Sequence, residues 1–199
     1  MRTGILGGTF NPVHMGHVLL ADAAARELRL DRTLLIPASI PPHKQAPELA
    51  ADRHRLAMCK LAAAQIRGGQ VSDLELRRGG KSYTCRTLEM LKEQYPADTL
   101  YLICGGDMFL TLQDWKRPET IFRLAVICAA ARQGIAHAQM QAQQTRLEAM
   151  GARIQLLEVS LPPWSSTDIR QRIGAGHPVD GMLPAPVAAY ILNNRLYQK

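Results

Sequence analysis

Two imidazoles and a pair of glycines crowd into eleven residues near the start of the chain: Gly7-Gly8-Thr9-Phe10-Asn11-Pro12-Val13-His14-Met15-Gly16-His17. Glycine lets the main chain approach a ligand closely, because no Cβ stands in the way. His14 and His17 are three apart, so on a helix they leave one side of the first turn. Gly16 between them leaves space for a flat ring or a ribose. The apolar Ile5-Leu6 precedes this string and an Ala-rich segment from Val18 follows it. A strand that passes through a glycine turn into a helix aims backbone N–H groups and the positive end of the helix dipole at one spot. That spot suits the phosphates of a nucleotide, with Gly8, Thr9 and Phe10 in the turn and the two histidines as side-chain donors. No G-x-G-x-x-G and no G-K-[ST] occurs, so the dinucleotide fingerprint and the P-loop are both absent.

A second cluster lies far along the chain, Trp164-Ser165-Ser166-Thr167-Asp168-Ile169-Arg170. A helix cap needs one hydroxyl, whereas Ser165, Ser166 and Thr167 offer three, and Arg170 falls in the first turns after them. Hydroxyls, open N–H groups and a guanidinium together suit a polyphosphate. Asp168 reads as a partner of the helix dipole. Pro41-Pro42-His43-Lys44 is a stiff loop that offers a cation. Gly105-Gly106-Asp107 is either a tight turn or a close-approach site whose carboxylate meets a ribose hydroxyl or a magnesium-bound water. Trp115 is either core or a stacking surface for a planar substrate. Thr84 either caps a helix or presents its N–H to a carboxylate, and Arg132 is either a phosphate ligand or a surface residue.

These residues need elements to position them. Val18–Leu30 has helical spacing, and Thr33–Pro37 is a continuous apolar run expected for a strand covered on both faces. The pattern continues with a helix over 52–66, an edge-like strand over 71–76, and a helix over 84–94. A strand over 100–104, another over 125–130, a Gln-rich helix over 137–150 and a strand over 154–159 follow, with helices over 166–173 and 186–196 closing the series. Strands and helices alternate throughout, which predicts an α/β fold with a mainly parallel, doubly wound sheet. In such sheets ligands bind beyond the carboxyl ends of the strands, and each polar cluster falls just after a strand. One composite site is therefore expected, in a single domain spanning 1–199 with the C-terminal helices, from about 165, packed against it.

The 199 residues allow a substantial core, and a formal charge of +7 suits an anionic partner. The basic residues are dispersed, which argues against a nucleic-acid arm. Four cysteines without a C-x-x-C pair indicate buried reduced thiols, neither zinc site nor disulfide framework. With no long apolar stretch and no leader-like start, a cytoplasmic protein away from membranes is expected.

The string at 7–17 resembles the signature of the nucleotidylyltransferase superfamily and, within it, the bacterial nicotinate-nucleotide adenylyltransferases. Pro41-Pro42-His43-Lys44, Ser82-Tyr83-Thr84, Gly106-Asp107, Trp115 and Ser165–Arg170 match that family in order and spacing. One departure is Trp164, where the family usually has a branched aliphatic residue. The resemblance implies the Rossmann-like HxGH nucleotidylyltransferase fold and adenylyl transfer from ATP to nicotinate mononucleotide, with magnesium carried by the ATP phosphates and water. It implies catalytic roles for His14, His17 and Arg170. ATP would be bound by these and by Gly8, Thr9, Phe10, Gly106, Asp107 and Ser165–Thr167. The mononucleotide would meet Asn11, Lys44, Thr84, Trp115 and Arg132, with Trp115 stacked on the pyridine. Other readings are a sister transferase acting on nicotinamide mononucleotide or phosphopantetheine, and a catalytically dead nucleotide sensor or RNA-binding protein. The sequence leaves a homo-oligomer open.

Overall fold

The computed structural model describes residues 1–41, 49–131 and 136–198. Six strands form one sheet: β1 (Arg2–Gly8), β2 (Arg32–Pro37), β3 (Gly69–Val71), β4 (Thr99–Gly105), β5 (Ala125–Ala130) and β6 (Arg153–Leu156). Their order is β3-β2-β1-β4-β5-β6, and every pairing is parallel. The order reverses between β1 and β4, which opens a crevice at their carboxyl ends.

The strand sequences explain both apolar layers. Successive side chains leave opposite faces, so each buried pair of neighbours feeds two cores. Leu6, Leu35, Ile103 and Cys128 enter the cluster under α1 (Met15–Glu27), α2 (Asp52–Ala63), α8 (Ser166–Gly174) and α9 (Ala185–Asn193). Ile5, Leu34, Leu102 and Ile127 enter the other, under α4 (Thr84–Gln94), α6 (Pro118–Leu124) and α7 (His137–Ala149). Two short helices, α3 (Leu74–Arg78) and α5 (Gly106–Phe109), complete the set among the described residues. The C-terminal α9 packs on α2, and the His54 Nδ1 and Tyr190 hydroxyl meet at 3.0 Å across that contact.

At the amino ends of the strands, away from the crevice, Asp98 gathers three neighbours. Thr3 Oγ1 and Arg32 Nη2 each donate to Oδ2 at 2.6 Å, and the Met1 amine donates to Oδ1 at 3.1 Å. Hydrogen bonding from Thr3, stronger than the opposing effect of burial, holds the carboxyl down at about 2.

Two expected elements differ. Residues 71–76 do not continue as a strand: β3 ends at Val71, the Ser72 N–H reaches the Leu35 carbonyl, and Leu74 begins α3. The alternation there hides a turn whose Asp73 pairs with Arg77 one helical turn on, at 2.9 Å. The last strand is also shorter than 154–159, so the 165–170 motif follows an irregular segment that contains Pro162 and Pro163. Helix α6, unassigned from the sequence, begins with Pro118 at its first position, where a missing N–H costs nothing.

Candidate active site

The crevice at the β1–β4 reversal is a cleft of about 520 Å³, within the range of small-molecule sites. Gly8, Thr9, Phe10, His14, His17, Thr84, Gly106, Asp107, Trp115, Ser165 and Ser166 all line it. Eleven residues expected from the sequence thus come together. A more open hollow of about 830 Å³ lies behind α8, and among the described residues it contains none of the expected site residues.

The two histidines are fixed by the helix start. His14 is the N-cap of α1, three residues earlier than the apolar spacing indicates, and is only 7 % exposed. Its backbone N–H donates to His17 Nδ1 at 3.2 Å. A neutral His17 therefore carries its proton on Nε2, where it is a donor. The imidazoles lie 3.8 Å apart between centroids, tilted by 36°. Phe10 adopts a left-handed φ of 48° and is buried, with its ring edge-on to His17 at 5.1 Å. Gly16 lines the cleft, but the space beside its missing Cβ is taken. A Cβ there would come within 3.0 Å of the His14 imidazole, so the space belongs to that side chain.

Arg55 on α2 is wholly buried, and the sequence reading missed it. Its Nη1 donates to the Thr9 carbonyl at 2.9 Å and to the Ala38 carbonyl at 2.6 Å, and its Nε to the Ala50 carbonyl at 3.2 Å. Asp52 pairs with Nη2. One guanidinium thus ties the chain leaving β1 to the chain leaving β2. Its neighbours in helical register, Met58, Cys59 and Ala62, are buried too, and that spacing is the signal that could have placed it inward.

Three expected ligands do not line the cleft. Asn11 is buried, and its Oδ1 accepts from the Ala50 N–H at 3.1 Å and the Tyr197 hydroxyl at 2.8 Å. Burial raises the Tyr197 phenol far above its ordinary range and keeps it a donor, despite the opposing charge of Arg170. Arg170 is half-buried, and its Nη1 donates to the Asn11 carbonyl at 2.9 Å. Thr167 is exposed on the first turn of α8. Ser165 is the cap, accepting from the Asp168 N–H at 3.1 Å and donating to its carboxylate at 2.6 Å, so the dipole role read for Asp168 is a reciprocal capping box. Ser166 donates to the Pro12 carbonyl at 2.9 Å and joins α8 to the first motif. Lys44 and Arg132 lie outside the described residues.

The far wall is aromatic. Tyr83 and Trp115 are half-buried against the second apolar cluster, and Lys116 Nζ lies 5.4 Å from the Tyr83 ring centroid. Glu75, Tyr83, Thr87 and Lys116 also line the cleft, and the sequence reading gave none of them a role. Cys104 lies in the wall as well, but burial pushes its thiol up to about 12, which leaves no thiolate nucleophile. Among the described residues no group of three His, Cys, Asp or Glu could hold a metal ion, and no helix is long and apolar enough to cross a membrane. The arrangement provides donors for anions at one end and a flat apolar surface at the other.

Residues 5–172 match the cytidylyltransferase-like family. A protein of Roseiflexus castenholzii named "probable nicotinate-nucleotide adenylyltransferase" is 43% identical, over 99% of this chain and 98% of its own. Similarly named proteins of Syntrophotalea carbinolica and Lachnoclostridium phytofermentans are 40% and 37% identical, with at least 98% of both chains covered in each case. Among solved structures, Plasmodium falciparum nicotinic acid mononucleotide adenylyltransferase complexed with NaAD superposes with a TM-score of 0.78. That match covers 98% of this chain and 97% of the other at 18% identity, and so speaks to the fold. The chain belongs to the nicotinate-nucleotide adenylyltransferases of the cytidylyltransferase-like family.

Proposed function

We propose that the protein transfers AMP from ATP to nicotinate mononucleotide, giving nicotinate adenine dinucleotide and pyrophosphate for NAD synthesis. The observation that carries this reading is the convergence of the two motif ends on one cleft. The Gly8–His17 turn and the α8 cap form one side, and the Trp115–Thr84 surface forms the other. A nucleotide sensor needs only the first. RNA binding finds no support in a cleft of this size. The rings at the second end favour a pyridine over a flexible phosphopantetheine.

An oxygen of the mononucleotide phosphate attacks the α-phosphorus of ATP, and the bond from that phosphorus to the bridging oxygen of pyrophosphate breaks. The attacking oxygen is already ionised, so the chain needs no strong general base. Its task is to bring two anions into line and to offset charge on the phosphoryl oxygens. His17 donates from Nε2, with the main chain of Gly8 and Thr9 and the first N–H groups of α8, which Ser165 caps and Ser166 ties to the turn, around it. Arg170, held beside the turn by its Nη1 bond to the Asn11 carbonyl, acts on the phosphates through its charge and by fixing that turn. Magnesium would fit with Asp107 as its carboxylate, because it keeps most of its coordination for phosphate oxygens and water. When bound it supplies charge neutralisation on the triphosphate. Lys44 and Arg132 serve the mononucleotide phosphate, and Thr84 and Trp115 receive its pyridine. Asn11 acts by positioning the turn.

The test is pyrophosphate release from ATP with nicotinate and nicotinamide mononucleotides offered separately. Release with the acid at a kcat/KM at least about tenfold above the amide supports the reading. Release with phosphopantetheine alone, or with no acceptor, overturns it.

A further inference from the structure

A carboxylate and a carboxamide on a pyridine ring have nearly the same shape, so an apolar slot cannot sort them. Sorting needs charge or directed donors. The main-chain amides near Thr84 and Trp115 are the obvious donors, but the Trp115 N–H already donates to the Leu112 carbonyl at 3.2 Å. The first amides of α4, at Thr84 and Cys85, are left, since no carbonyl lies one turn before them. Beside that helix start sits a carboxylate. Glu75 is 5 % exposed, lines the cleft and accepts the hydroxyl of Thr87, one turn on from Thr84. Its charge opposes a second anion there.

One cation stands against it. Among the described residues that line the cleft, Lys116 is the only lysine or arginine. Its Nζ lies 5.4 Å from the ring centroid of Tyr83, which is the N-cap of α4 and the residue directly before Thr84. Lys116 also follows Trp115 in sequence, so the stacking surface and the ammonium share one short segment. Resting on the function proposed above, we infer that Lys116 selects the acid. Its ammonium pairs with the pyridine carboxylate at the start of α4 and offsets Glu75. The neutral amide gains little from the same charge.

The experiment measures pyrophosphate release at saturating ATP while each mononucleotide is titrated, for the wild type, Lys116→Met and Lys116→Arg. Lys116 is exposed, so the pair has the strength of a surface contact. Lys116→Met is expected to lower the acid-to-amide ratio of kcat/KM about fivefold, through the KM for the acid, without moving the KM for ATP. Lys116→Arg restores most of the ratio. Added salt erodes the ratio of the wild type more than that of Lys116→Met. An unchanged ratio in Lys116→Met overturns the inference, and so does an equal loss on both mononucleotides. A wild type that releases pyrophosphate with neither mononucleotide refutes the adenylyl-transfer reading itself, a result visible before any variant is compared.

Discussion

At the end of the cleft formed by the first turn and α8, side chains distant in sequence hold main-chain carbonyls in place. Arg55 holds those of Thr9 and Ala38, Ser166 that of Pro12, and Arg170 that of Asn11. At the end formed by α4 and Trp115, rings pack on an apolar layer and Lys116 stands over Tyr83. The difference follows from the ligands proposed for each end. Charge that develops on phosphoryl oxygens is stabilised only by donors already aimed at it, and hydrogen-bonded scaffolding fixes their aim. A pyridine needs a plane and a sign of charge, and both tolerate looser construction.

Substitutions should therefore behave differently at the two ends. Arg55→Met strips a buried cation from three carbonyls and leaves them without a donor. It is expected to cost about 3–5 kcal/mol of stability, read as a lower urea midpoint. His17→Ala should leave that midpoint nearly in place but lower kcat by roughly 10²–10³, or about 2.7–4 kcal/mol in the transition state. Near-normal turnover would remove His17 from the chemistry. Trp115→Ala should raise the KM for the mononucleotide about tenfold, since stacking on an aromatic side chain is worth roughly 1–3 kcal/mol. The KM for ATP should shift little, and an ATP-specific defect would reverse the two ends.

A further effect lies outside the cleft, at Asp98, and leaves the chemistry alone. Its carboxyl titrates lower in the folded protein, at about 2, than its ordinary value of 3.8. The folded state therefore binds this proton less readily than the unfolded chain does. The stability it contributes is complete above about pH 4 and is lost as pH falls towards 2. Thermal melts of Asp98→Asn and the wild type should converge across that window and stay apart above it.

The cleft was legible where one residue type did one thing. Buried strands such as Leu34-Leu35-Ile36 announce themselves because both faces are covered, and the spacing of His14 and His17 needs only a helix start. What could not be read was how donors were already spent. Asn11 looks like a ligand in a string, yet its side chain is spent on Ala50 and Tyr197 while its carbonyl holds Arg170, 159 residues away in sequence. Lys116 has no visible role in the sequence alone because its meaning comes from Tyr83, brought beside it by the packing of α4 on α6. The turn at Ser72-Asp73 was hidden by chance alternation, which a three-residue edge strand is too short to contradict.

The hydrogen bond from Tyr197 to Asn11 spans 186 residues. Its consequence concerns the order in which the protein comes into being. The glycine turn and both histidines are made long before Tyr197, and their loop lacks one of its hydrogen-bonded struts until that residue has been added. Contacts of such sequence separation form late, after the intervening chain has lost its freedom. Nucleotide is abundant around a growing chain, and a site closed by a residue made after all six strands is finished only when the sheet behind it is also in place.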